Sequence, residues 1–573
     1  MRHGSPRRAA SGGRVARWAT LYVMRRVLPL VLLLVAVACK SGPPALVAGP
    51  VPGAVAAPER YAKEAGERIL REGGNAIDAA ACVGFVLAVT HPEAGNLGGG
   101  GFLVVHTPQG DFVVDAREVA PRAARAQLYL DADGKPRPGA TLVGPLAAGV
   151  PGSVAGYLLA HERAGKLPRE RILAPAIELA RDGFTVDRGL SESLARHRDL
   201  LAKYPETAAI FLPEGRIPAA GDRLRQPELA RVLEAISKSG SAGFYRGWFA
   251  QRVEEVCEKY GGVLTVGDLF TYQAKLREPI RGTYRGLTVL TMPPPSSGGV
   301  CLLQILDLLE RGGYELMRDG QRAHLFAEAS RRAFADRARY FGDPDAVEVP
   351  VEELLDPSYL QSRFLTISMT AATPSAAVQG GLASESTQTC HFSVADDQGS
   401  AVACTTTLNG AYGCGVAVSG VLLNNEMDDF ALLPGVPNQF GLIQGEANAI
   451  APGRRPVSSM TPTILLRGSE VELVLGSPGG PTIISTVAQV VANRYAAQMT
   501  LEESIRAPRL HCQWMPDEVL TEPIPAEVRR ALEELGHRLR EVPRMGDVQA
   551  VGRTPMGRLV GASDPRGRGA ATK

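Results

Sequence analysis

The 573-residue sequence lacks the spacings that mark a metal or disulfide protein. Its eight cysteines form no CxxC pair; besides Cys39 they stand singly at Cys82, Cys257, Cys301, Cys390, Cys404, Cys414 and Cys512. Seven such cysteines in so long a chain describe no disulfide framework, and they read as small buried hydrophobes. The nine histidines show no HExxH or comparable spacing, so neither a metal nor a cofactor is expected. A GxSxG elbow is missing, and no Ser/His/Asp order stands out. No internal repeat is apparent. The apolar run from Val27 to Ala38 has twelve residues, too few to cross a bilayer comfortably.

A basic excess is missing as well. The formal charge is +2, but Arg2, Arg7, Arg8, Arg14, Arg17, Arg25 and Arg26 all precede the first acidic residue, Glu59; without these seven charges the balance is −5. A mildly acidic chain offers no electrostatic case for nucleic acid.

Those arginines belong to a leader. "MRRVLPLVLLLVAVAC" has a basic start, an apolar stretch and small residues before Cys39. Residues 1–38 are therefore expected to be a signal sequence, with Met24 a plausible true start. "Ala36-Val37-Ala38-Cys39" resembles a bacterial lipobox, which would place a lipid on Cys39; an ordinary secretory signal with an incidental cysteine is the alternative. Either way the protein is expected to be exported, periplasmic or membrane-anchored. Residues 39–58, rich in Pro, Gly and Ala, read as a tether.

What remains is globular, 45% hydrophobic and 21% charged. The pattern predicts an amphipathic helix from Glu59 to Arg71, stopped by Gly73 and Gly74, and an apolar helix from Ala76 to Val89. A glycine loop and a hairpin follow, Phe102 to His106 and Asp111 to Asp115. Residues 151 to 260 read as mainly helical, and 315 to 345 carry a further long helix. From Thr389 the texture alternates about a turn at Asp397 to Ser400, and strands continue to Thr482, where helix resumes. Residues 563–573 read as disordered. Helices, strands and helices again suggest an α+β chain, with sheets covered by helical layers.

Several stretches could carry chemistry, and each has a plain structural reading. "GGGG" at Gly98 to Gly101 lacks the Lys-Ser/Thr ending of a phosphate loop and reads as a tight backbone crossing rather than a ligand contact. Arg117, beyond a strand and flanked by acids, is either a solvated ion-pair partner or a bidentate carboxylate clamp. "NNEMDDF" packs Asn424, Asn425, Glu426, Asp428 and Asp429 together, as turn-forming residues or as a cage for an ammonium group. Acid/base work on a glycosidic bond would need carboxylates facing across a sugar, and these lie too close in sequence. Gly479-Gly480 in "GSPGGP" could present two N–H groups to an oxyanion. Thr389 could be a nucleophile if cutting Gln388-Thr389 freed its α-amine, which titrates near pH 8 and would serve as the base. A hairpin rich in threonine for its β-propensity is the plain alternative.

Taken in order, "GGNAIDAA", "HPEAGNLGGGGF", "DAREVAP", "GVPGSVAGY", "PPPSSGGV", "TCHFSVADDQGSAVACTTTLN", "GVLLNNEMDDF", "RRPVSSMTPTI" and "GSPGG" resemble the gamma-glutamyltransferase (gamma-glutamyltranspeptidase) family of N-terminal nucleophile hydrolases. The resemblance implies a four-layer αββα sandwich and a precursor that cuts itself before Thr389. Residues 59–388 would form a large subunit and 389–573 a small one, both parts of one intertwined catalytic domain. It implies Thr389 as nucleophile, Thr407 as its hydrogen-bonding partner, and Gly479 and Gly480 as the oxyanion hole. Arg117 with Ser458 and Ser459 would hold the α-carboxylate of a γ-glutamyl group, and Asn409, Glu426 and Asp429 its α-ammonium. The implied donors are glutathione and related γ-glutamyl compounds, and the acceptors water, amino acids or dipeptides. Cys390, after the nucleophile, departs from the usual hydroxyl residue, and Gln388 precedes the cut. "LLPGVPNQFGLIQGEANAIAPGRRP" resembles the lid loop of transpeptidating members. Two other readings compete: a glutaryl-type beta-lactam (cephalosporin) acylase of the same superfamily, and an uncut, non-catalytic peptide-binding lipoprotein.

Overall fold

The computed structural model describes residues 49–378, 389–433 and 445–573. Cys39, Gln388 and residues 434–444 of the lid-like loop lie outside the described residues, as does the leader.

Two capped helices open the first layer. Helix α1 (Arg60–Arg71) starts at Glu59, whose carboxylate accepts the N–H groups of Tyr61 and Ala62, each at 2.6 Å. Helix α2 (Ala76–Thr90) starts with a reciprocal capping box between Asn75 and Asp78. Every residue of α2 is buried, which is why its sequence is apolar on all sides. Helices α3 (Ser153–Ala164) and α4 (Arg169–Asp182) complete this layer, α3 against the sheet and α4 behind α2.

Two large sheets lie beneath. In chain order their strands are β1 (Gly53–Ala57), β2 (Gly100–Thr107), β3 (Gly110–Ala116), β4 (Lys275–Arg277), β5 (Ile280–Tyr284), β6 (Leu287–Thr291), β7 (Thr389–Asp396), β8 (Ala401–Thr407), β9 (Thr463–Arg467), β10 (Glu470–Gly476), β11 (Gln549–Arg553), β12 (Leu559–Ser563) and β13 (Ala570–Ala571). The first sheet has the order β13-β1-β7-β8-β2-β3-β4 and the second β12-β11-β10-β9-β6-β5. Helices α5 (Gly298–Arg311) and α7 (Thr482–Tyr495) cover the far face of the second sheet, with α6 (Asp319–Tyr340) packed on α5. The layers are thus αββα, the expected α+β sandwich.

Side-chain alternation decides what faces the gap between the sheets. In β7, Cys390, Phe392 and Val394 belong to the core under the first helix layer, while Ala395 joins the core that includes the second sheet. Ser393 shares the inward parity and donates to the Gln549 carbonyl of β11 at 3.0 Å. His391 does so too, abutting β10, where a Cβ added at Gly476 would come within 2.4 Å of its ring. Thr389 has the same parity and so stands at the mouth of the inter-sheet gap.

Two expectations fail here. The tether ends before Gly53, because Gly53–Ala57 is a strand held between β7 and β13, with Val55 opposite Val394 and Ala56 opposite Ala571. Its "GAVAA" composition gives little hydrophobic signal, yet small side chains suit a strand buried on both faces. Residues 563–573, read as disordered, are instead fixed in place. Ala570–Ala571 adds to β1, Thr572 N–H donates to the Val55 carbonyl at 2.9 Å, and Thr572 Oγ donates to Glu67 at 2.7 Å. Arg566 and Arg568 in this stretch also make ion pairs, and those partners are invisible in a local reading of "DPRGRGAATK".

Candidate active site

Thr389 and Thr407 are register partners at the open end of the β7–β8 hairpin. Thr389 Oγ donates to Thr407 Oγ at 3.4 Å, and Thr407 Oγ accepts the Asn409 N–H at 2.9 Å. Asn409 sits in the left-handed region at φ 68°, and its amide donates to the Asn425 carbonyl at 2.9 Å. The nucleophile candidate is therefore linked through Thr407 and Asn409 to the acidic "NNEMDDF" segment. Neighbours that might compete for the chemistry are disarmed. Burial pushes the Cys390 thiol far up, so it stays protonated. Burial holds His391 down at about 3, and its ring nitrogens bond Thr405 Oγ at 2.8 Å and Ser393 Oγ at 3.1 Å. A neutral imidazole committed on both nitrogens is no base for Thr389.

The glycine run is a backbone crossing, as read. A Cβ at Gly99 would lie 2.0 Å from the Thr407 carbonyl oxygen, so only glycine lets this loop pass under the hairpin. Asn96 fastens it: its amide donates to Thr407 O at 2.9 Å and its oxygen accepts Gly99 N–H at 3.0 Å. Asn424 does the same from the other side, donating to the carbonyls of Gly98 at 2.8 Å and Gly149 at 2.9 Å.

This crossing aims the end of β3 at the acids. Arg117 is 1% exposed, so the solvated reading of it fails. Its Nε donates to the Pro456 carbonyl and one Nη2 hydrogen to the Val457 carbonyl, both at 3.1 Å. Nη2 also meets Asp429 at 2.5 Å, and Nη1 meets Glu426. Glu118, which sequence reasoning passed over, is fully buried beside them, with Oε2 3.5 Å from the same Nη1. Burial raises the Glu426 carboxyl to about 8 and that of Glu118 to about 7, with Arg117 opposing the rise in both. Glu426 and Asp429 come from a single 3-10 turn, Glu426–Asp429, which explains their tight spacing in sequence.

The serines lie on the carbonyl side of Arg117. Ser458 is held by its backbone, its carbonyl accepting from Ser297 N–H and Oγ, each at 2.8 Å, while its own Oγ accepts the Met460 N–H at 3.1 Å. Ser459 Oγ is buried with no hydrogen-bond partner. Gly479 and Gly480 follow β10, whose last residue abuts His391, and they lead into α7. Gly479 has φ +133°, and its carbonyl accepts Thr482 Oγ at 2.7 Å while that of Gly480 accepts Ile483 N–H at 3.0 Å. Their own N–H groups make no hydrogen bond among the described residues.

The predicted residues thus fall into three groups around one region: Thr389, Thr407 and Asn409 in a chain of hydrogen bonds; Arg117, Glu426 and Asp429 in contact, with Ser458 and Ser459 next to the carbonyls they share; and the Gly479-Gly480 turn on the opposite sheet. Glu118, Asn96 and Asn424 lie inside motifs already recognised. What could have marked them is their immediate adjacency to Arg117, the glycine run and Glu426.

Known proteins match this arrangement. A profile described as "Gamma-glutamyltranspeptidase" covers residues 62–573. The glutathione hydrolase proenzyme of Escherichia coli (strain K12) is 44% identical over 504 residues, 86% of this chain and 87% of that one. Among solved structures, cephalosporin acylase from Bacillus halodurans superposes with a TM-score of 0.80 at 28% identity, covering 91% of this chain and 96% of that one. Helicobacter pylori gamma-glutamyltranspeptidase gives a TM-score of 0.55 at 40% identity over 56% of this chain and 93% of the other. With the profile spanning nearly everything after the first strand, the chain belongs to the gamma-glutamyltranspeptidase family.

Proposed function

We propose that this protein is a self-cleaving γ-glutamyltransferase and hydrolase acting on glutathione and related γ-glutamyl amides. The observation that carries the reading is a buried guanidinium packed against two carboxylates of one short turn, tied through Asn409 and Thr407 to a threonine at a strand start. A γ-glutamyl head carries both a free carboxylate and a free ammonium, and each needs a partner once removed from water. Arg117 with Ser458 and Ser459 would take the first, and Glu426, Asp429 and Asn409 the second.

Maturation begins when Thr389 Oγ attacks the Gln388 carbonyl carbon. The C–N bond breaks in an N-to-O shift that frees the Thr389 amine and leaves an ester on Oγ, and water then hydrolyses that ester to release the Gln388 carboxylate and the Thr389 hydroxyl. In turnover that amine removes the Oγ proton as Oγ attacks the γ-carbonyl. The Gly479 and Gly480 N–H groups, at the positive end of α7, stabilise the oxyanion. The proton passes to the departing amine, and water or an amino acid or dipeptide then takes the acyl group from Thr389.

Thr389→Ala is expected to remain one chain on denaturing electrophoresis, where the parent gives two; two bands from the variant would place the nucleophile elsewhere. The acylase reading draws support from the cephalosporin acylase likeness. It is disfavoured because a glutaryl group has no ammonium to set against Glu426 and Asp429. Comparing a γ-glutamyl anilide with a glutaryl anilide decides between them, and faster turnover of the glutaryl compound overturns the assignment. Export with a lipid on Cys39 rests on the leader sequence, and intact mass of the mature protein tests it.

A further inference from the structure

Three carboxylates face one guanidinium in the head-group pocket, and one of them has no role in the reading above. Glu118 is fully buried, and its Oε1 has no hydrogen-bond partner. Glu426 Oε2 is likewise buried without one. Their other oxygens converge on the same nitrogen, Arg117 Nη1, and the two carboxyls lie within hydrogen-bonding reach of each other. Asp429 takes Nη2. Were all three ionised, one guanidinium would face three negative charges out of water.

The surroundings offer no relief. Tyr272 and Tyr245 are further titratable groups near Glu118. Tyr272 OH donates to the Arg117 carbonyl at 2.9 Å, and Tyr245 OH donates to the Pro151 carbonyl at 3.0 Å, so neither proton is available to the carboxylate. Asp428, on the same turn as Glu426, accepts from Thr141 Oγ at 2.6 Å. On the remaining sides Glu118 meets backbone: a Cβ at Gly100 would come within 2.5 Å of Oε2, and one at Gly149 within 3.1 Å of its Cβ. Two like-charged carboxyls on one cation in such an enclosure hold a proton between them.

We propose that Glu118 is a positioning residue that shares a proton with Glu426 in the empty pocket, and that this proton leaves to solvent when a ligand's α-ammonium enters, so that donor binding releases a proton. This rests on the reading of the pocket as a zwitterion site. An ammonium group has only donors, and a carboxylic acid at Glu426 would turn a donor towards it; ionising the pair replaces that clash with acceptors. The rise of both carboxyls to between about 7 and 8 puts the exchange within the working range of pH.

The sign follows directly. Below the pKa of the empty pocket the proton must be expelled before the ammonium can bind, so donor affinity falls as pH drops. With a single group near 7, KM for a γ-glutamyl anilide is expected to rise about tenfold from pH 8 to pH 6. Glu118→Gln keeps the shape and offers Glu426 a donor that does not titrate; its KM is expected to change less than twofold across that range. The kcat profile, set by the Thr389 amine, keeps its form in both. A tenfold KM rise in processed, active Glu118→Gln overturns the proposal. Should that variant fail to mature, calorimetry of the parent in two buffers of different ionisation enthalpy provides the second reading. Glutamate is expected to release close to one proton per site at pH 6 and glutarate none; equal values for the two overturn the coupling. Failure of the zwitterion reading looks different, since the parent would then show no preference for the γ-glutamyl over the glutaryl anilide at any pH.

Discussion

Among the described residues Arg117 turns its fork to two kinds of group, the Pro456 and Val457 carbonyls on one side and the carboxylates of Glu426, Asp429 and, at longer range, Glu118 on the other. In the proposed reading a ligand carboxylate arriving at this guanidinium displaces part of that set, and the freed acids turn to the ligand's ammonium. Lysine keeps the charge but cannot make two parallel bonds and still reach two carbonyls. Arg117→Lys is therefore expected to lower kcat/KM for a γ-glutamyl anilide by at least about a hundredfold, roughly 3 kcal/mol of transition-state binding, while the chain is still cut. A loss under threefold would mean that the carboxylate is held elsewhere. At this scale the types of residue were legible and their burial was not. An arginine among acids at a strand end is the same string whether it is solvated or enclosed; enclosure comes from Glu426, Asp429, Pro456 and Val457, which reach it from far along the chain. Glu118 was missed for that reason.

The β7–β8 hairpin carries the proposed nucleophile, and what fixes it is the close approach of the second sheet. Gly476 lets β10 come against His391, whose ring is pinned by Thr405 and Ser393 and cannot swing away. Gly476→Ala would set a methyl 2.4 Å from ring atoms. The sheets must part locally, at a cost of about 1–3 kcal/mol. Because Thr389 lies two residues from His391 on the same face, a lowered thermal midpoint should be accompanied by slower appearance of the two subunits. Unchanged melting and maturation would show that the ring has room to move. Elements with strong local signals were legible from sequence: the amphipathic α1 with its glycine stop, the apolar α2, and the alternation flanking the turn of this hairpin. β1 was not, because "GAVAA" has no polar face to alternate against when both faces are buried.

On the scale of the whole molecule, a cut before Thr389 leaves two chains that neither sheet separates. β1, from the part before the cut, lies between β7 and β13, both from the part after it. The C-terminal stretch then crosses back over the first helix layer. Arg568 meets Glu93 at 2.5 Å and Asp187 at 2.8 Å, and it also donates to His91 at 2.9 Å. Burial is the largest influence and would raise the Glu93 carboxyl, but the Arg568 charge, joined by His91 and a backbone hydrogen bond, holds the group below its ordinary value. The Glu93 carbonyl in turn accepts the Tyr412 N–H at 3.2 Å, three residues beyond Asn409. Removing the guanidinium leaves Glu93 buried without its cation, a loss of about 3–5 kcal/mol in comparable buried pairs. Arg568→Ala is therefore expected to weaken the hold between the two parts and to loosen the turn that supports Asn409. Processed variant should dissociate into large and small subunits in dilute solution by sedimentation, under conditions where the parent sediments as one particle. Uncut variant should mature more slowly, because the same turn orients Thr407. If instead the cut variant sediments unchanged and is fully active, the interleaved strands alone hold the enzyme together and the C-terminal stretch is a passenger on its surface.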